Sequence, residues 1–206
     1  MALYAIADLH LSLGKNKPMD IFKGWNNYVE KLKNNWEKTV SKNDTAVIAG
    51  DISWALKLHE TKQDFEFIDK LPGKKIFIKG NHDYWWSTRK KIEDYLILNN
   101  FNSISILYNS SYITENIAIC GTRGWAYDCD SFEDEKILHR EVGRLQSSIL
   151  AAQNSQKEII AFLHYPPVYS DYECKEIIDV LIKNNIKKCY YGHLHGNTAK
   201  NRAVVG

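Results

Sequence analysis

The 206-residue chain predicts a layered α/β fold, and three observations carry that reading. Apolar β-branched runs alternate with stretches whose apolar residues recur at helical spacing, the pattern of helices packed on a sheet. Side chains able to coordinate metal or move protons fall where those runs end, which is where such folds place their ligand crevice. No linker, repeat or low-complexity stretch interrupts the pattern, so residues 1–206 read as one domain, long enough to bury a core unaided.

Leu3–Ala7 reads as a first strand ending at Asp8-Leu9-His10, followed by a polar loop with Gly14 and Pro18. From Asp20 to Val40, Ile21, Trp25, Val29, Leu32, Trp36 and Val40 recur at helical spacing, with Asp20 as N-cap. Thr45–Ala49 is a strand emptying into Gly50-Asp51. A helix over His59–Leu71 turns Phe65, Ile68 and Leu71 inward, and Pro72-Gly73 stops it. Ile76–Ile78 then delivers Gly80-Asn81-His82-Asp83, and a helix follows over Arg89–Leu98.

Ser103–Leu107, Ser111–Thr114 and Ile117–Cys120 are short, β-rich and closely spaced, which predicts a meander or hairpin. The loop Gly121–Tyr127 leads to the acidic Glu133-Asp134-Glu135 and a long helix with Leu138, Val142, Leu145 and Ile149. Ile159–Leu163 is a strand ending at His164, before Pro166-Pro167. A helix with Ile177, Ile178, Leu181 and Ile182 precedes a last strand, Cys189–Tyr191, ending at Gly192. Ala203–Gly206 opens an apolar run, the expected beginning of a strand whose remainder would follow.

Composition narrows the function classes. Hydrophobic residues at 44% and charged residues at 25% are ordinary globular usage. A net charge of +2 gives no electrostatic footprint for nucleic acid or a membrane surface. No stretch approaches the ~20 apolar residues that span a bilayer, and the start lacks the basic-then-apolar pattern of a secretory signal. Cys120, Cys129, Cys174 and Cys189 form no Cys-x-x-Cys pair, so free thiols in a reducing cytoplasm are expected, without assigned chemistry.

The chemistry concentrates in five fragments: Asp8-Leu9-His10, Gly50-Asp51, Gly80-Asn81-His82-Asp83, His164, and Gly192-His193-Leu194-His195. Five of the seven histidines lie inside them, a clustering that points to metal; His59 and His139, in predicted helices, read as structural or surface. Carboxylates and imidazoles together suit manganese, iron, zinc, cobalt or nickel. Two such ions at ~3.5–4 Å repel and require a bridging anion. Asp8 and His10, like His193 and His195, are two apart, so on an extended segment both members point to one side. Glycines at Gly50, Gly80 and Gly192 would permit sharp turns without a Cβ clash.

In this order the fragments resemble the calcineurin-like metallophosphoesterase superfamily, whose pattern of Asp-x-His, Gly-Asp, Gly-Asn-His-Asp/Glu, His and Gly-His-x-His spans nearly the whole chain. The resemblance implies a four-layer α/β/β/α sandwich with a dinuclear centre. Asp8, His10 and His195 would hold one ion, Asn81, His164 and His193 the other, and Asp51 would bridge them. His82 would stand beside the scissile phosphate as the catalytic residue, with Asp83 orienting a neighbour and Asn81 also facing substrate. A metal-bridging hydroxide would attack phosphorus in line. The protein-phosphatase branch carries Gly-Asp-x-x-Asp-Arg-Gly, whereas this chain reads Gly50-Asp51-Ile52-Ser53-Trp54-Ala55-Leu56, which argues against a dedicated protein phosphatase and for the compact bacterial branch.

Two features beside the fragments stay open at this point. Trp54, Tyr84, Trp85 and Trp86 would be either packing beneath loops or a stacking wall for a nucleotide or aryl group. Arg123 would supply either the missing phosphate clamp or a structural ion pair. The expected activity is hydrolysis of a small phosphomonoester or phosphodiester. A nuclease or nucleotide phosphodiesterase is the rival enzyme, and a catalytically silent metal-supported scaffold is the rival class.

Overall fold

A computed structural model describes residues 1–15, 17, 19–125, 132–169 and 172–195. Pro18, Tyr127, Cys129, Gly196 and the Ala203–Gly206 run lie outside the described residues. The chain divides into two compact units, Met1–Ile106 and Leu107–Gly206, each built on its own sheet. The architecture is mixed α/β, with mainly parallel sheets flanked by helices, as the alternating pattern predicts.

In the first unit the sheet order is β1(Leu3–Ile6), β2(Thr45–Ala49), β3(Lys74–Ile78), β4(Ile104–Ile106), and every pair is parallel. β2 is buried at all five positions, which is why it reads as an unbroken apolar run. The helices α1(Tyr28–Thr39), α2(Lys62–Lys70) and α3(Arg89–Leu98) connect the strands. Phe65 of α2 and Ile92 of α3 are fully buried with Ile76, Phe77 and Ile78 of β3, and Phe65 meets Phe77 edge-on at 5.3 Å.

The predicted helix from Asp20 is corrected. A 3-10 turn covers Met19–Ile21, and α1 begins only at Tyr28. Gly24 (φ +92°) and Asn27 (φ 53°) both take left-handed backbone, which no continuous helix accommodates. Asp20 is therefore not a helix cap; its carboxylate accepts the Asn27 amide at 2.8 Å, and Ile21, expected inside, is exposed. The second helix is divided between a 3-10 segment, Leu58–Thr61, and α2, with Phe65, Ile68 and Leu71 buried as expected.

The expected meander is half right. Ser103–Leu107 contributes β4, which pairs parallel with β3 in the first sheet, because α3 lies between them as a crossover. The hairpin comprises only β5(Tyr112–Ile113) and β6(Ile117–Thr122), antiparallel.

The second unit continues with α4(Phe132–Gln153), β7(Glu158–Leu163), a small hairpin of β8(Val168–Tyr169) and β9(Tyr172–Glu173), α5(Lys175–Lys183) and β10(Cys189–Tyr191). Its sheet runs β10-β7-β6-β5, the first three parallel. Leu138, Leu145 and Ile149 of α4 and Ile177 and Leu181 of α5 pack in one cluster with Ala118, Cys120 and Leu163, while Ile182 is exposed.

A lysine lies inside the first unit. Lys75, on β3, is fully buried, and its ammonium donates to the carbonyls of Asp69, Leu71 and Gly73 at 3.2, 2.5 and 3.0 Å, closing the end of α2. Burial lowers its pKa to about 8 from 10.5. At pH 7 Lys75→Met should cost about 2 kcal/mol by leaving these carbonyls unpaired. The unfolded chain keeps its Lys75 proton to about pH 10.5 while the folded chain releases it near 8, so stability gains as pH rises through that window. Urea melts of both proteins from pH 7 to 10.5 should show the gap widening with pH; a gap that narrows contradicts the assignment.

Candidate metal centre

The first unit brings Asp8, His10, Asp51, Asn81, His82 and Asp83 to the carboxyl ends of β1, β2 and β3. The segment after β1 keeps pairing with the one after β2: the amides of Asp8, His10 and Leu11 donate to the carbonyls of Gly50, Asp51 and Ile52 at 2.9–3.0 Å. It is not the extended run expected. Asp8 (φ 59°), His10 (φ 46°) and Asp51 (φ 52°) all take left-handed backbone, a costly state for residues with a Cβ. The two-residue spacing of Asp8 and His10 therefore delivers their side chains through alternating backbone twists.

Asp83 organises these turns. Its fully buried carboxylate accepts the amides of Gly80 (2.8 Å), Asp51 (2.9 Å), Ile52 (2.8 Å) and Ser53 (3.3 Å), and the indole N–H of Trp85 (3.0 Å). Burial, and then the neighbouring Asp51 carboxylate, push its pKa up, while the backbone donors pull it down. Asp83 thus orients its neighbours and is a positioning residue. Gly80 is dictated by close approach: a Cβ there would lie 2.1 Å from Asp51 Oδ1.

Asp51 is buried, and both of its carboxylate oxygens are engaged by His82: Oδ1 accepts the backbone amide at 2.8 Å and Oδ2 faces ring Nδ1 at 2.7 Å. An ionised carboxylate only accepts, so Nδ1 carries the proton in this contact. His10 Nε2 lies 3.8 Å from Asp51 Oδ2 and 4.0 Å from Asp8 Oδ1. The Asn81 amide nitrogen is 3.1 Å from the His82 ring. One ligand atom each from His10, Asp51 and His82 falls within 4.8 Å of the others, a spacing that could hold a cation. A cation there would offset the cost of burying Asp51 and Asp83 side by side.

The second unit brings together His164, His193 and Arg123. His164, after β7, is fully buried, and its ring stands 5.1 Å from that of His193. The Gly192 amide bonds the carbonyls of Leu163 (3.3 Å) and His164 (3.1 Å), which seats the turn, and His193 is left-handed (φ 69°). His195 is exposed. The Arg123 carbonyl accepts the amides of His164 (3.1 Å) and Tyr165 (2.8 Å). Its guanidinium lies 3.6 Å from buried Glu141, which is held closer by Arg144 at 2.6 Å, and its Nε has no hydrogen-bond acceptor among the described residues.

The aromatics divide. Trp85 is core, meeting Phe65 edge-on at 5.0 Å. Trp54 lies against His10 and His82, with the Lys17 ammonium 3.3 Å from its ring centroid. His59 and His139 are exposed, away from these clusters in sequence and burial as expected.

Three supporting residues escaped the sequence reading. Asp64 accepts the Leu13 amide (2.7 Å) and the Ser53 hydroxyl, and the Tyr28 hydroxyl donates to the His10 carbonyl at 2.9 Å. Glu141 bonds the Thr122 hydroxyl at 2.5 Å. Asp64 and Glu141 sit inside helices among other charges, where sequence offers no sign of burial.

The family model for calcineurin-like phosphoesterases matches residues 1–197, and the chain belongs to that family. No protein with a curated description matches. A phosphopantetheinyl hydrolase (PptH) from Mycobacterium tuberculosis is 16% identical with a TM-score of 0.50, covering 94% of this chain and 82% of that one. A further solved structure, 14% identical, reaches a TM-score of 0.58 over 93% and 83% of the two chains. A protein of unknown function from Aquifex aeolicus is 19% identical at a TM-score of 0.46, covering 92% and 88%. For the first two, at these identities, the likeness is one of fold. Among the described residues no helix is long and apolar enough to cross a membrane.

Asp83→Asn should cost about 3 kcal/mol, since an amide places a donor among five converging donors. Denaturant melts measure it. A change below about 0.5 kcal/mol, the range of an ordinary surface substitution, contradicts the organising role.

Proposed function

We propose that this chain is a dinuclear metal-dependent phosphoric ester hydrolase acting on a small phosphomonoester or phosphodiester. The observation that supports it most is the approach of His10 Nε2 to the carboxylates of Asp51 and Asp8, at 3.8 and 4.0 Å, all three residues having left-handed backbone. On the motif resemblance, Asp8, His10 and His195 would hold one ion and Asn81, His164 and His193 the other, with Asp51 shared. Manganese, iron, zinc, cobalt and nickel all suit these donors. When bound, the ions supply Lewis acidity and bring a coordinated water's pKa toward neutrality.

The remaining steps belong to the chain's own side chains. With Nδ1 donating to Asp51, His82 has Nε2 to exchange a proton with the leaving oxygen. His82 also stabilises charge on the phosphoryl oxygens, and Asn81 stands beside it at the substrate. Arg123, held only loosely by Glu141 at 3.6 Å, supplies a guanidinium for phosphate. The net charge of +2 argues against a polynucleotide substrate and leaves a small nucleotide diester compatible. A cytoplasmic setting belongs to the same proposal.

Hydrolysis of 4-nitrophenyl phosphate and bis(4-nitrophenyl) phosphate by the manganese-loaded chain tests this. His82→Ala should lower kcat by about 10²–10³-fold with bound manganese unchanged. Full manganese occupancy with no turnover of either ester favours the silent scaffold. Unchanged turnover in His82→Ala removes the proton-transfer role.

A further inference from the structure

Trp54 follows Asp51 by three residues and occupies the position where the protein-phosphatase pattern has its second Asp. Its indole stacks on the His10 imidazole, with centroids 4.9 Å apart and planes 20° from parallel. The same indole lies 4.6 Å from the His82 ring, tilted by 50°. One rigid aromatic plate therefore borders both imidazoles of the first unit's cluster, whose own centroids are 5.6 Å apart.

The indole is itself anchored. The Trp54 amide donates to the Leu11 carbonyl at 2.9 Å, in the bridge that ties the Asp8–Leu11 segment to the turn after β2. Its Nε1–H points to Met19 Sδ at 3.4 Å, and Lys17 makes a cation–π contact with the ring. These contacts settle the ring's plane, and a stacked neighbour must follow it.

We infer that Trp54 is a positioning residue for the metal ligand His10, fixing the plane of its imidazole by stacking, while its tilted contact with His82 borders a ring that Asp51 already holds at Nδ1. A ligating imidazole must aim its nitrogen within ~10–20° of the productive direction. His10 starts from a left-handed backbone, so its χ angles are not set by a regular element, and the flat contact removes the ring rotations that would misdirect Nε2. The indole cannot then also act as an open stacking wall for an aryl or nucleoside group, because Lys17 and the two imidazoles already border it. This inference rests on His10 being a metal ligand, as proposed above.

The test compares Trp54→Phe, which keeps a flat ring, with Trp54→Met, which keeps bulk but is flexible. Manganese binding is followed by calorimetry, and the cobalt(II)-substituted proteins by their visible d–d bands. Trp54→Met should weaken manganese binding by about tenfold, the usual scale for losing a group that orients a ligand. Its cobalt bands should shift, and kcat should fall more than KM rises. Trp54→Phe should restore affinity and band positions to within about threefold and a few nanometres of the unmodified chain. Equal behaviour of the two variants, or a rise in KM for nitrophenyl esters at unchanged manganese affinity, overturns the inference. Absence of manganese binding by the unmodified chain would instead remove the proposed function itself.

Discussion

The Asp83 carboxylate is the constraint on which the first unit's chemistry depends. It collects amides from Gly80 and from Asp51, Ile52 and Ser53, so one buried anion joins the turns after β2 and β3. A hydrogen bond to a charged acceptor contributes more than a neutral one, and these are shielded from water. The arrangement fixes where Asp51 points, and Asp51 in turn accepts both the backbone and the ring of His82. Trp85, donating to the same carboxylate, links the turn to the aromatic core around Phe65.

The backbone contributes as much as the side chains. Asp8, His10, Asp51 and His193 are left-handed, each a residue proposed above as a ligand. Such conformations cost on the order of 1–3 kcal/mol apiece and persist only where surrounding contacts over-determine them. Those contacts are on hand: the carbonyls of Gly50, Asp51 and Ile52, the Tyr28 hydroxyl on the His10 carbonyl, and Asp64 on the Leu13 amide. Folding energy from two ordinary α/β cores is thus committed to side-chain direction at strand ends.

Much of this was legible in the sequence because burial leaves a periodic trace. β2, β10 and α3 fall where apolar pattern places them, since each presents a regular face or a continuous run to a core. The start of α1 was not legible, because apolar residues from Ile21 onward keep helical spacing while Gly24 and Asn27 break the helix through backbone alone. The pairing of β4 is hidden for a related reason: a three-residue strand carries no sign of whether its partner runs parallel. The candidate ligands were legible as residue types at strand ends. Their left-handed backbones, the collision that requires Gly80, and the burial of Asp64, Lys75 and Glu141 depend on tertiary neighbours that no local window contains.

If Asp51 is the shared ligand of the proposed two-metal centre, its loss must lower metal stoichiometry. Elemental analysis of the unmodified chain and of Asp51→Asn, each equilibrated with manganese and passed through a desalting column, is the measurement. About two ions per chain are expected for the first and fewer than about one for the second, with both proteins folded. Equal metal content in the two proteins, or none in the unmodified chain, would contradict it.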